Sequence, residues 1–141
     1  MNKTLEQQRS KYAFDCILHA KGKSFESEFS SLVARFPTLV LTNGLGNTLA
    51  YLLSKGKEHH MMLVCIIASW VMKEKSPIKD CPNGFNTKTV KANQGDIIKH
   101  IVLDTTVQEY IYYTEEVLRL ANWLKRYAEA MLEKKEEVGN E

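Results

Sequence analysis

VQEYIYYTEEVLRLANWLKRYAEAMLEKK, Val107 to Lys135, is the stretch that decides the fold class. Val107, Tyr110, Ile111, Thr114, Val117, Leu118, Ala121, Leu124, Ala128 and Met131 recur in it at the spacing of one α-helical face. Thr106 stands just before it and Glu109 three residues later, a pair that can cap the first free backbone N–H groups reciprocally. A long helix that is apolar along one stripe needs other helices to cover that stripe. The rest of the chain supplies them.

Working back from Thr106, Gln94 to Leu103 reads as a short helix. Before it, SPIKDCPNGFNTKTVKAN, Ser76 to Asn93, holds two prolines and an Asn-Gly and reads as a long loop. Loops of that length are usually functional or poorly ordered. Glu58 to Lys75 is apolar nearly all round and belongs at the centre of the molecule. Its longest apolar run, Met61 to Met72, is well short of the ~20 residues that cross a bilayer. Pro37 predicts a break or kink that opens a helix running to about Lys55, with Gly56 as its stop. Phe25, Phe29, Leu32, Val33 and Phe36 stripe an earlier helix capped by Ser24, with Glu26 and Glu28 in its first turn. Thr4 and Gln7 form another capping box. It opens a first helix whose inner face is Leu5, Tyr12, Ala13, Cys16, Ile17 and Ala20, ending at Gly22. The expectation is an all-α, single-domain helical bundle of about five to six helices over residues 1–135, with a loop at 76–93 and a polar tail at 136–141.

The chain's 141 residues, 44% hydrophobic and 26% charged, are enough for a core without disulfide or metal. The start, MNKTLEQQRSKYA, is polar and unlike an export signal. Cys16, Cys65 and Cys81 are odd in number and widely spaced, which predicts free thiols and a cytoplasmic protein. Net charge is +2, but residues 133–141 are acidic, so residues 1–132 carry 17 bases against 13 acids. That mild excess permits a nucleic-acid partner without requiring one.

No pattern of catalytic residues stands out. Thr38 to Leu49 contains Gly44-x-Gly46, but Leu49 occupies the position where a dinucleotide fingerprint needs Gly or Ala, and no parallel strands accompany it. The glycines are better explained by close helix approach or an irregular turn. His59 and His60 are adjacent, and His19 and His100 isolated, so no metal site is expected. No Ser or Cys carries a local signature of an activated nucleophile. No cofactor and no small-molecule substrate is therefore expected. RLANWLKRYAEA, Arg119 to Ala130, says more. Arg119, Trp123 and Arg126 share a face, with Lys125 and Tyr127 beside them, an arrangement suited to a phosphate backbone with stacked bases. The competing reading makes Trp123 core and the charges ordinary surface pairs. Arg9 and Lys11 on the first helix face the same choice. If the first and last helices lie side by side in an antiparallel bundle, Arg9, Lys11, Arg119, Lys125 and Arg126 form one RNA-binding stripe.

Three segments in order, RSKYAFDCI (Arg9 to Ile17), TNGLGNTLAYLLSK (Thr42 to Lys55) and RLANWLKRYAEA, resemble the small all-helical subunit of the type III-B CRISPR–Cas (Cmr) RNA-guided effector complex. The resemblance covers nearly the whole chain except the 76–93 loop. It implies a subunit without nuclease activity, in antiviral defence. Copies would stack in a minor filament beside the backbone subunits that hold the guide RNA, and would meet the large polymerase-like subunit at one end. Together they would line the channel in which target RNA pairs with the guide. Cleavage would belong to the backbone subunit and second-messenger synthesis to the large one. The alternative from another class is a free-standing helical adaptor or regulatory protein with no nucleic-acid role.

Overall fold

Both capping boxes form. Thr4 Oγ accepts from the Gln7 N–H at 3.1 Å while Gln7 Oε1 accepts from the Thr4 N–H at 2.9 Å, opening α1, Leu5–Ala20. Thr106 and Glu109 make the same exchange at the head of the long helix Val107–Met131. The computed structural model describes residues 2–133, and every regular element among them is helical. The polar tail at 136–141 and the expected helix end at Lys135 fall outside them.

The second helix, α2, is Glu26–Asn43 and continues uninterrupted past Pro37. The expected break there is corrected by the structure. A helix-interior proline costs about 3 kcal/mol, but Phe29, Leu32, Val33, Phe36 and Val40 form one buried stripe on both sides of it. Each such side chain returns roughly 1.5–3 kcal/mol on burial, so packing wins. The break comes at Gly44, whose φ of 85° and ψ of 159° suit glycine alone. Ser24 is not the cap of α2. Its N-terminal boundary is Phe25, without a side-chain cap, and Glu26 instead accepts from the Gly22 N–H at 2.8 Å and the Glu133 N–H at 2.9 Å.

Helix α3, Leu45–Lys55, ends on a left-handed Gly56 as expected. Helix α4, Glu58–Met72, is buried from His60 to Met72 except at Ser69 and forms the centre. A single 3-10 turn, Lys73–Lys75, follows it. The 76–93 segment is more ordered than its composition suggests. Ile78 and Pro82 are buried, and Asn86 caps a short α5, Thr87–Ala92, through bonds from the Lys88 and Thr89 N–H groups. Cys81 in this segment is disulfide-bonded to Cys65 of α4. The expectation of three free thiols therefore fails for two of them, and only Cys16, buried in α1, is free. Helix α6, Gln94–Ile98, continues into a π-helical turn, Lys99–Leu103, and α7 is the Val107–Met131 helix.

α7 is the spine. α2 lies antiparallel along it, with Glu26 near Glu133 at one end and the Gly46 N–H beyond α2 bonded to the Tyr110 hydroxyl at the other. α1 covers the C-terminal half of α7 and runs the same way, since Arg9 meets Glu116 and Lys21 meets the Met131 carbonyl. The first and last helices are therefore side by side, but parallel.

Candidate nucleic-acid interface along the α1–α7 seam

The seam is held by a buried charge. Glu116 on α7 is 3% exposed and accepts from Arg9 Nε and Nη2, each at 2.9 Å, and from the Trp70 indole N–H at 2.8 Å. Burial alone would push its carboxyl up, but the Arg9 and Trp70 hydrogen bonds and the Arg9 and Arg119 charges outweigh this. The net effect holds it below the ordinary value. Tyr12 stacks on Trp70 at 5.1 Å and donates to the Ile66 carbonyl, and the Lys73 ammonium sits 3.6 Å above the indole. Arg9 is 5% exposed, with Nε and Nη2 both given to Glu116. It is a buried structural group, and its assignment to the RNA-binding set is withdrawn.

Outside this anchor, two adjoining depressions share Glu6 and Trp123. The first, about 420 Å³, has Phe14, Trp123 and Tyr127 as its aromatic walls, with Lys3, Ser10 and Lys11 beside them. The second, about 360 Å³, carries Arg119, Asn122 and Arg126, with the buried Arg9 also reaching its lining. Trp123 and Tyr127 stack at 5.6 Å with planes 27° apart, and Phe14 meets Tyr127 edge-on at 5.4 Å. The Tyr127 hydroxyl is tied to Ser10 Oγ at 2.7 Å. Lys11 pairs with Asp15 at 2.8 Å and Arg126 with Glu129 at 3.6 Å, while Arg119 lies 4.0 Å from Glu116. The first two pairs are exposed, worth little and exchanged readily for another anion, whereas Arg119 faces the buried Glu116. The fold thus gathers Lys11, Arg119 and Arg126 around one aromatic wall. Lys125 is half-buried and lines neither depression.

Sequence reasoning missed Phe14, Lys3 and Asn122. Phe14 did carry a signal: it falls off the inner stripe of α1 that Ala13, Cys16, Ile17 and Ala20 mark, and the structure leaves it 38% exposed.

Elsewhere, the glycine pair is structural. The Gly44 N–H donates to the Val40 carbonyl and the Gly46 N–H to Tyr110 Oη at 2.8 Å, so neither is free for a phosphate. A Cβ at Gly46 would lie 3.0 Å from Val102 Cγ1. The rings of His59 and His60 are 4.0 Å apart. Burial, then the neighbouring His59, Arg35, Lys55 and Lys57 charges, lower His60 to about 4. Among the described residues no group of three His, Cys, Asp or Glu side chains could hold a metal, and no helix is long and apolar enough to cross a membrane.

The family model for "CRISPR-associated protein (Cas_Cmr5)" matches residues 5–131. The chain belongs to this family. It is 25% identical, over 93% of its length and 98% of the other's, to the Thermus thermophilus protein named "CRISPR system Cmr subunit Cmr5". The crystal structure of a Cmr5 family protein from the same organism has a TM-score of 0.68 at 23% identity, covering 94% of this chain and all of that one. The resemblance read from three motifs, and the all-α single-domain fold, are borne out. In this Cas_Cmr5 chain the motifs are largely architectural. RSKYAFDCI supplies the Arg9 anchor and Tyr12, TNGLGNTLAYLLSK the sharp α2–α3 junction, and RLANWLKRYAEA the outer wall of the seam.

Proposed function

We propose that this chain stacks with copies of itself in a minor filament beside the guide-holding backbone subunits of a type III-B complex. In that position its α1–α7 seam faces the channel in which target RNA pairs with the guide. Membership of the Cas_Cmr5 family makes the chain a non-catalytic subunit of the Cmr complex in CRISPR defence. The observation that carries the finer reading is the cluster of Lys3, Lys11, Arg119 and Arg126 around Phe14, Trp123 and Tyr127. Cations on a helical surface contact phosphates without reading sequence, and guided complexes leave specificity to base pairing.

A second surface supports the protein partners. Leu41, Leu103, Val107, Ile111 and Tyr112, at the end of the bundle where α2 finishes and α7 begins, are between 51% and 73% exposed. Apolar groups left outside in such a cluster suit contact with another protein, here a further copy or the large polymerase-like subunit. The working location is the cytoplasm, where guide and target RNA meet.

Affinity purification of the tagged chain from its own cells tests the reading. Guide RNA and the other effector subunits should come down with it. Recovery of the chain alone would favour the free-standing adaptor instead. In the assembled complex, changing Lys11, Arg119 and Arg126 together to Glu should weaken target-RNA binding while subunit composition holds.

A further inference from the structure

We infer that the depression between α1 and α7 takes one unpaired nucleobase, stacked on Trp123 and Phe14, so that the seam grips single-stranded RNA rather than duplex. This rests on the RNA reading above and deepens it. Phosphate contact alone explains the cations but not the rings. Three aromatic side chains meet at one spot on the outside of the bundle, with Phe14 38% exposed. Trp123 and Tyr127 are half-buried against the core, whereas Phe14 stands outside it. A concave slot with ring walls has the shape for a flat, apolar-faced guest.

The slot is also fixed before anything enters it. The Tyr127 hydroxyl is bonded to Ser10 Oγ, Trp123 is stacked on Tyr127, and the two helices are anchored by the Arg9–Glu116 pair. Walls already ordered lose little freedom when a base arrives.

Charge selects among flat guests. Lys3 and Lys11 stand on one side of Trp123, and Arg119 and Arg126 on the other, with Glu6 the acid common to both depressions. A base in the slot would leave the phosphates on its two sides near these two cationic pairs. An apolar helix from a partner protein would fill the slot but bring no anion to these four cations, three of which hold carboxylates of this chain alone. A duplex would satisfy the cations but cannot offer a base face, because its bases are stacked on one another. An unpaired strand satisfies both halves.

The test uses the full chain and three probes: a uridine octamer, an abasic ribose-phosphate octamer of the same charge, and a blunt RNA duplex. The uridine octamer should bind about tenfold tighter than the abasic one, one stacked base being worth roughly 5- to 150-fold. It should quench tryptophan emission, and the abasic strand and duplex should not. Trp70 is 8% exposed, so the quenching should vanish in Trp123→Phe while affinity is largely kept. Trp123→Ala, and independently Phe14→Ala, should remove the advantage of uridine over the abasic strand. Equal binding of the two octamers would overturn the base slot while leaving phosphate contact standing. So would an equal loss for both in Trp123→Ala. If Trp123→Ala abolishes incorporation into the complex and the octamers bind equally, the slot is a protein-docking site. If no probe binds and the triple Glu variant leaves target binding by the complex unchanged, the RNA reading itself falls.

Discussion

Replacing Arg9 with Met keeps a chain of similar length and apolar stem but removes both guanidinium bonds to Glu116. The carboxylate is then left 3% exposed, with the Trp70 indole N–H as its one short donor at 2.8 Å and Arg119 at 4.0 Å. Removing one partner of a buried pair costs about 3–5 kcal/mol. Trp70 remains and Arg119 can draw closer, so the lower end, about 3 kcal/mol, is expected. For a chain of this size that lowers Tm by about 10 °C. Glu116→Gln should be comparably costly, since it strands the Arg9 charge. The double variant should be far less destabilised than the two singles added, with a coupling of about 2 kcal/mol or more. Urea unfolding followed by far-ultraviolet circular dichroism measures all four proteins. Acid supplies an internal check. Glu116 has its folded value depressed, so its contribution is present above the usual carboxylate range and is lost as pH falls through the folded value. The difference between wild type and Arg9→Met should shrink there. Single variants within about 1 kcal/mol of wild type would refute the anchor. An Arg9→Met protein of full stability with weakened RNA binding would return Arg9 to the RNA-binding stripe.

Gly46→Ala should destabilise by about 1–2 kcal/mol despite alanine's better helix propensity, because its Cβ would lie 3.0 Å from Val102. Val102→Ala should relieve part of that cost, the Tyr110 hydroxyl at 3.2 Å remaining, whereas Gly44→Ala, strained at a φ of 85°, should have no such rescue. His60, lowered from 6.5 to about 4, binds its proton more weakly folded than unfolded, so stability should fall as pH drops through that window, by about 3 kcal/mol at pH 4. Subtracting the stability profile of His60→Phe from that of wild type isolates this slope, and a flat difference would contradict it. In the complex, the Lys11, Arg119 and Arg126 triple Glu variant should reduce the slope of log affinity against log salt by about 2 if three phosphates of an unpaired strand are released. Unfolded without reductant, the chain should expose one titratable thiol, that of Cys16; three would restore the free-thiol expectation.

What the sequence made legible is what local chemistry decides. The caps at Thr4 and Thr106, the stop at Gly56 and the central α4 all rest on neighbours within a turn or two. Pro37 misled because a local penalty was weighed without the buried stripe that outweighs it. Helix α5 hid inside a polar segment because its cap, Asn86, is one residue among several turn formers. For the seam, the aromatic and basic face of α7 was visible as spacing. What turned Arg9 inward was not, since its partner stands 107 positions away. The Cys65–Cys81 bond was hidden likewise, because spacing says nothing of which loop folds back on which helix.

The Glu116 cluster also acts as an alignment pin. It takes two N–H donors from Arg9 of α1, one from Trp70 of α4 and its acceptor from α7, so α1 cannot slide along α7 by a single turn, about 5.4 Å, without breaking both Arg9 bonds and stranding two buried charges. Lys11 and Phe14 lie two and five residues beyond Arg9, and Trp123 and Tyr127 seven and eleven beyond Glu116. The outer wall is thus indexed from the pin inside. Transplanting α1 from a relative should preserve the seam only if positions 9, 70 and 116 travel as a set. A swap that breaks the set would shift the outward-facing aromatics against one another even though every residue on the surface was kept.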